Sequence, residues 1–174
     1  MLRQKSFLRL LAGLAIVSIV AGCIVSGTFV IVADFDFTAS GDFYFHRVDI
    51  TDDATWQDHK DDIDFIDAVG AEFYITSTEG TDVTFNVYVD DYTTGPDPIT
   101  VPTSASKIIT DFTVPNGTTK ITYKQSLSIL TNLERLKTLA KKGMFDYYAT
   151  TTGTVGSTFV IDSAKIIVTI SASK

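Results

Sequence analysis

Residues 28–37 read Thr-Phe-Val-Ile-Val-Ala-Asp-Phe-Asp-Phe, and no other stretch limits the fold as tightly. Phe29, Ile31, Ala33, Phe35 and Phe37 fall on one side of a two-residue repeat, while Asp34 and Asp36 fall on the other. Successive side chains of a strand point to opposite faces, so this is a strand with one face buried. Similar segments recur along the chain. Residues 43–50 are strand-like, but the apolar phase moves from Phe43 and Phe45 to Val48 and Ile50, which predicts a bulge near His46 and Arg47. Residues 71–76 and 83–89 alternate cleanly about Glu79-Gly80-Thr81-Asp82 and read as a hairpin. Residues 107–114 and 118–123 flank Pro115-Asn116-Gly117, a turn because Asn and Gly tolerate positive φ. The last strands are 145–152 and 157–171, the latter with Ile166, Val168 and Ile170 on one side. Between 90 and 102, Gly95, Pro96, Pro98 and Pro102 make a surface loop, with a brief edge strand expected at 99–101.

Two segments depart from the two-residue repeat. Residues 51–63 open with capping side chains and set Trp56 and Ile63 seven apart on one helical face, which predicts a helix over about 53–62 with Trp56 as a core plug. Leu127, Leu130, Leu133, Leu136 and Ala140 recur at three- and four-residue spacing from a cap near Ser126, and Lys141-Lys142-Gly143 supplies the end, so a second helix is expected over 126–142. Short strands without regular strand–helix alternation favour an antiparallel β-sandwich, immunoglobulin-like in general architecture, with these two short helices.

The chain has 174 residues, 45% of them hydrophobic, including 12 Phe and 7 Tyr, a composition that excludes disorder. The first segment is of another kind. Arg3, Lys5 and Arg9 precede an uncharged apolar run from Leu10 to Val20 that closes on Ala21-Gly22-Cys23. A basic start, an apolar centre and a small-residue exit form the secretory pattern, and the run is shorter than the roughly 20 residues of a spanning helix. Residues 1–22 are therefore expected to be a cleaved signal peptide, 23–27 a short tether, and 28–174 a single domain. The chain's net charge is −7; because the leader holds three cations, the remainder stands at −10. Such a surface repels nucleic acid and anionic headgroups, so no nucleic-acid partner is expected.

Val20-Ala21-Gly22-Cys23 resembles the lipobox of bacterial lipoproteins, in which small residues precede a cysteine that becomes the first mature residue. The resemblance covers only the leader. It implies a diacylglyceryl group on the Cys23 thiol, with acylation of the amine open as a further step, and a membrane as partner. Uncleaved anchoring and a free thiol are the alternatives. Cys23 is the only cysteine, so disulfides and thiolate metal clusters are excluded. Five residues of tether reach about 17 Å at most, which holds the domain near the bilayer. Ile24 stands where aspartate would resemble an inner-membrane retention signal, so by that resemblance the outer membrane is favoured in a Gram-negative cell.

Each candidate site has a plain structural alternative. The acidic run Asp49, Asp52, Asp53, Asp58, Asp61, Asp62, Asp64 and Asp67 offers oxygen ligands for Ca²⁺ but lacks the EF-hand rhythm, and otherwise reads as a solvated helix face capped by Asp52 or Asp53. Asp90, Asp91 and Asp97 form a second candidate Ca²⁺ loop. His46 and His59 lack metal spacing. No Gly-x-Ser-x-Gly elbow or phosphate loop occurs. If the 71–89 hairpin buries Phe73, Ile75, Phe85 and Val87, its outer side carries Tyr74, Asn86 and Tyr88, which could dock a glycan or an extended peptide or simply stabilise a solvated sheet. The expected function is that of a non-catalytic binding or structural lipoprotein of the bacterial envelope, with an envelope protein or glycan as partner. A glycan- or peptide-binding accessory protein and an envelope hydrolase are the rivals.

Overall fold

The computed structural model describes residues 26–40, 42–77, 80, 82–152 and 158–173. Cys23 and the leader lie outside them. Among the described residues are eight strands, β1 (Ser26–Ser40), β2 (Phe43–Asp49), β3 (Ile63–Ser77), β4 (Val83–Asp91), β5 (Ser106–Val114), β6 (Gly117–Ile121), β7 (Met144–Thr152) and β8 (Thr158–Ser173). Three helices accompany them: α1 (Ala54–His59), α2 (Tyr123–Ile129) and α3 (Leu133–Lys142). No described helix is long and apolar enough to cross a membrane.

The strands form two antiparallel sheets of four, ordered β1-β8-β3-β6 and β2-β7-β4-β5. The expected sandwich is present, and its strand order is that of a jelly roll rather than the immunoglobulin division of strands. Alternation chose the inward residues: Ile31, Ile75, Val87, Phe145, Val168 and Ile170 are all buried in one core cluster between the sheets.

Pairing departs from the expected hairpin. β3 belongs to the first sheet and β4 to the second, so residues 71–76 and 83–89 face each other across the core. Phe73, Ile75, Phe85 and Val87 are buried as the alternation requires, because periodicity reports which face is covered and not which strand lies alongside. The turn after β5 likewise crosses between sheets, with Gly117 at φ 101°. The β2–β7 register runs unbroken from Phe43 to Asp49, so the expected bulge is absent. Phe43 and Phe45 face outward over Tyr148 and Val48 faces the core; both sides of β2 are covered. Residues 99–101 form no strand, and Ile99 is 86% exposed.

The helices follow local capping. Asp53 caps α1, accepting from the amides of Thr55 (2.7 Å) and Trp56 (3.2 Å), and Trp56 is buried as expected. The single helix expected over 126–142 is two. α2 starts earlier, where Thr122 and Gln125 form a capping box. It stops where Thr131 N donates to Ile108 O (2.8 Å) and Asn132 Nδ2 to Lys107 O (2.6 Å), with Asn132 at φ 51°. These bonds to β5 replace the next helical turn and leave Leu127 39% exposed.

α2 and α3 also close an exposed edge. β6 pairs only with Phe73–Ser77 of β3. Beyond that, Ser126 Oγ accepts from Ala71 N (2.9 Å) and donates to Tyr123 O (2.7 Å), while Lys141 Nζ donates to Asp64 O (3.3 Å). Covering an edge with a helix removes a template for intermolecular pairing. The ring of Tyr123 lies so close to Gly70 that a Cβ there would stand 2.4 Å from Cε2. Gly70→Val should therefore lower stability by about 1–3 kcal/mol. Urea denaturation reads this, and an unchanged midpoint would mean that the ring moves aside freely.

Candidate functional site

Polar and aromatic side chains converge on the outer face of the second sheet. Alternate residues of β2 (Phe45, Arg47), β7 (Tyr148, Asp146) and β4 (Tyr88, Asp90) point that way, and the registers align them in rows. Phe45, Tyr148, Tyr88 and Lys107 form one row across all four strands, and Arg47, Asp146 and Asp90 form the next.

Asp146 is the centre of the second row and its side chain is wholly buried. It accepts from Arg47 Nε (3.2 Å), Thr93 N (3.2 Å) and Thr93 Oγ1 (2.8 Å). Arg47 also donates through Nη2 to Thr93 O (2.9 Å), and its guanidinium lies 5.4 Å from the Phe45 ring centre and 4.7 Å from that of Tyr92. One cation thus neutralises a buried carboxylate, stacks on two rings and pins the 92–105 loop, a combination suited to the planar guanidinium. Beside it, Asp90 accepts from Ser104 Oγ and from Arg135 Nη2 (3.1 Å). Asp91 takes Lys142 and Arg135, whose hydrogen bonds hold its carboxyl below the usual range.

Asn86 is buried and structural in its contacts. Its Oδ1 accepts from Lys107 Nζ (3.1 Å) and from the amide of Asp111 (3.0 Å), the residue at φ 47° where β5 bulges against β4. Lys107 Nζ also stands 5.2 Å from the Tyr88 ring centre. Tyr148, only 1% exposed, has its phenol pushed up to about 12 by burial and then by the carboxylates of Asp146 and Asp90. The folded state thus keeps a proton that the unfolded chain loses near pH 10. Stability from this group is complete below pH 10 and falls as pH rises toward 12. Tyr148→Phe should flatten that alkaline loss in a pH series of thermal melts; an unaltered slope would assign the loss to other groups.

Tyr74 and Tyr88 do not share a face. They lie on different sheets, so the joint Tyr74, Asn86 and Tyr88 surface expected of a hairpin does not exist. Tyr74 instead has Lys120 Nζ 4.9 Å from its ring centre. Asp90 and Asp91 are engaged by Arg135 and Lys142, and Asp97 does not join them in any metal-suited group of three or more His, Cys, Asp or Glu among the described residues. His59 stacks on Phe29 at 3.8 Å, and burial lowers the pKa of His46. Arg47, Thr93, Arg135 and Asp146 were not singled out from the sequence. The available signal was a lone carboxylate, Asp146, among Met144, Phe145, Tyr147, Tyr148 and Ala149.

Fold and site define a jelly-roll sandwich whose second sheet carries an ion-and-aromatic cluster beneath a pinned loop. No protein-family model and no curated protein matches the sequence. Among solved structures, the chain is similar to one from infectious bursal disease virus, Gx strain, at 11% identity and TM-score 0.35, over 88% of this chain and 38% of that one. The chain therefore spans well under half of that protein's length. It is also similar to the BFDV capsid protein in a decameric form (13% identity, TM-score 0.35, 84% of this chain and 99% of that one). The 60-mer form of that capsid protein gives 12% identity and TM-score 0.34, over 88% and 96% of the two chains.

Proposed function

We propose that this chain is a lipid-anchored lipoprotein of the bacterial envelope whose sandwich acts as a non-catalytic binding or structural module. The observation that carries the reading is the position of the sole cysteine, at the small-residue exit of an apolar leader and just ahead of β1 at Ser26. Under this reading the outer membrane of a Gram-negative cell is the favoured site. Two carboxylates at the centre of the second sheet's outer face, Asp146 and Asp90, are already engaged by guanidinium groups, which supports a non-catalytic role. Mass spectrometry of the protein from cell envelopes is expected to find a chain starting at Cys23 with the added mass of a diacylglyceryl group. A retained leader or an unmodified thiol would overturn the reading.

A second reading, glycan or extended-peptide binding, moves to the Tyr88 side alone. The half-buried rings of Phe45 and Tyr88, flanked by Arg47 and Lys107, favour it, since rings with cationic neighbours suit sugars and polar peptides. A glycan array probed with the lipoprotein and with Phe45→Ala, Tyr88→Ala should lose its hits in the double variant. Hits that survive would exclude this face.

A further inference from the structure

We propose that the anchor-side half of the first sheet's outer face lies flat against a bilayer of uncharged or zwitterionic headgroups, an inference that rests on the lipidation of Cys23. Three outward rows make this half. Thr28, Ser171 and Phe65 form the first, Val30, Thr169 and Ala68 the second, and Val32, Ile167 and Gly70 the third. Phe65 is 69% exposed, Val30 54% and Val32 38%, a concentration of bare apolar surface on one face.

The patch has defined borders. Beyond the third row, Asp34, Lys165 and Glu72 align across the same three strands, with Lys165 Nζ 3.0 Å from Asp34 Oδ1. On the β3 side the ring of Tyr123 closes over Gly70. The two other sides are the edge strand β1 itself and the end at which β1 enters, and the latter names the occupant. Three peptide steps separate Cys23 from Ser26, at most about 11 Å of chain, so a lipidated Cys23 holds that end at the headgroup layer. Phe65 pairs with Ser171, and Ser171 with Thr28, two residues into β1, so the most exposed ring of the patch is at the tethered end.

Charge selects the kind of lipid. Asp64 and Asp67 stand beside Phe65, held by Ser173 Oγ and Ser171 Oγ at 2.6 Å each, and with Lys141 Nζ at the Asp64 carbonyl offsetting only one of the two charges, they repel anionic headgroups. Apolar side chains immersed at the boundary add binding in proportion to the area they bury.

The test uses the full chain, in which lipidation leaves an introduced cysteine as the only free thiol. Phe65→Cys, Val30→Cys and, on the opposite sheet, Tyr88→Cys are labelled with a fluorophore and reconstituted into phosphatidylcholine vesicles. Doxyl-labelled lipid should quench positions 65 and 30 roughly two-fold or more, leave 88 bright, and lose effect when phosphatidylglycerol replaces part of the lipid. Iodide should quench in the reverse order. Acylated, vesicle-bound protein quenched equally by iodide at all three positions overturns the face assignment and leaves the anchor intact. Shielding from both quenchers at 65 and 30 would assign the face to a second copy and overturn it too. A chain without the lipid mass overturns both readings.

Discussion

Asp146→Ala should lower the unfolding free energy by about 2–4 kcal/mol, the loss expected when one partner of a buried ion pair is removed. The size follows from what the carboxylate satisfies. It is the acceptor for Arg47 Nε and for both the amide and the hydroxyl of Thr93, and its own side chain has no contact with solvent. The estimate stays below the upper limit for such pairs because Arg47 is 28% exposed and still donates to Thr93 O. In a domain of this size the melting temperature should fall by roughly 5–15 °C. Hydrogen exchange should accelerate around Thr93 in the 92–105 loop, where Asp146 holds it, and less around Ser104, which Asp90 still holds. Arg47→Met alone should cost a similar amount, because it leaves the carboxylate buried without a cation. The double variant Arg47→Met, Asp146→Leu should recover much of the loss, as apolar replacement of a whole buried pair is often near neutral. Strict additivity of Arg47→Met and Asp146→Leu, each measured alone, would show that the pair is not coupled.

Arg47 and Asp146 are 99 residues apart, and nothing local to either position joins them. The sequence was legible where a rule acts over a few residues. Alternation placed Ile31, Phe73 and Val168 inward, and Asp53 and the Lys141-Lys142-Gly143 ending marked helix limits. It was not legible where the alternative is set across the molecule. The connection after β3 has the turn chemistry of a hairpin, yet it steps to the other sheet. Facing sheets lie about 10 Å apart and paired strands about 4.8 Å apart, and five residues span either distance. Among the described strands only β4 and β5 are both consecutive and paired, so a reading that joins neighbours misplaces the rest. This error alone put Tyr74 beside Tyr88. The helix break at Leu130–Asn132 has the same cause: the Leu spacing continues through it, but the free carbonyls of Lys107 and Ile108 take the donors of Thr131 and Asn132.

Gly143→Val should be comparably damaging, at about 2–5 kcal/mol, because two independent costs meet at one Cα. The first is the backbone. Gly143 ends α3 at φ 84°, where a Cβ meets the neighbouring carbonyl and costs roughly 1–2 kcal/mol. The second is space. A Cβ at this position would stand 2.7 Å from both Thr51 Cγ2 and Trp56 Cζ2, and Trp56 is 5% exposed with little room to retreat. Overpacking of that kind adds about 1–3 kcal/mol. The carbonyl of Gly143 also accepts from Ile50 N (2.9 Å), so displacing the residue strains the junction of α3, β7 and the segment leading to α1. The two costs can be separated. Gly143→Asn retains tolerance of positive φ and should suffer mainly from the clash, whereas Gly143→Ala in a Thr51→Ser, Trp56→Leu background should suffer mainly from the backbone. Thermal melts of these variants decide the matter: if the Thr51→Ser, Trp56→Leu background does not reduce the cost of Gly143→Ala, neither side chain is the obstacle and the backbone alone requires glycine there.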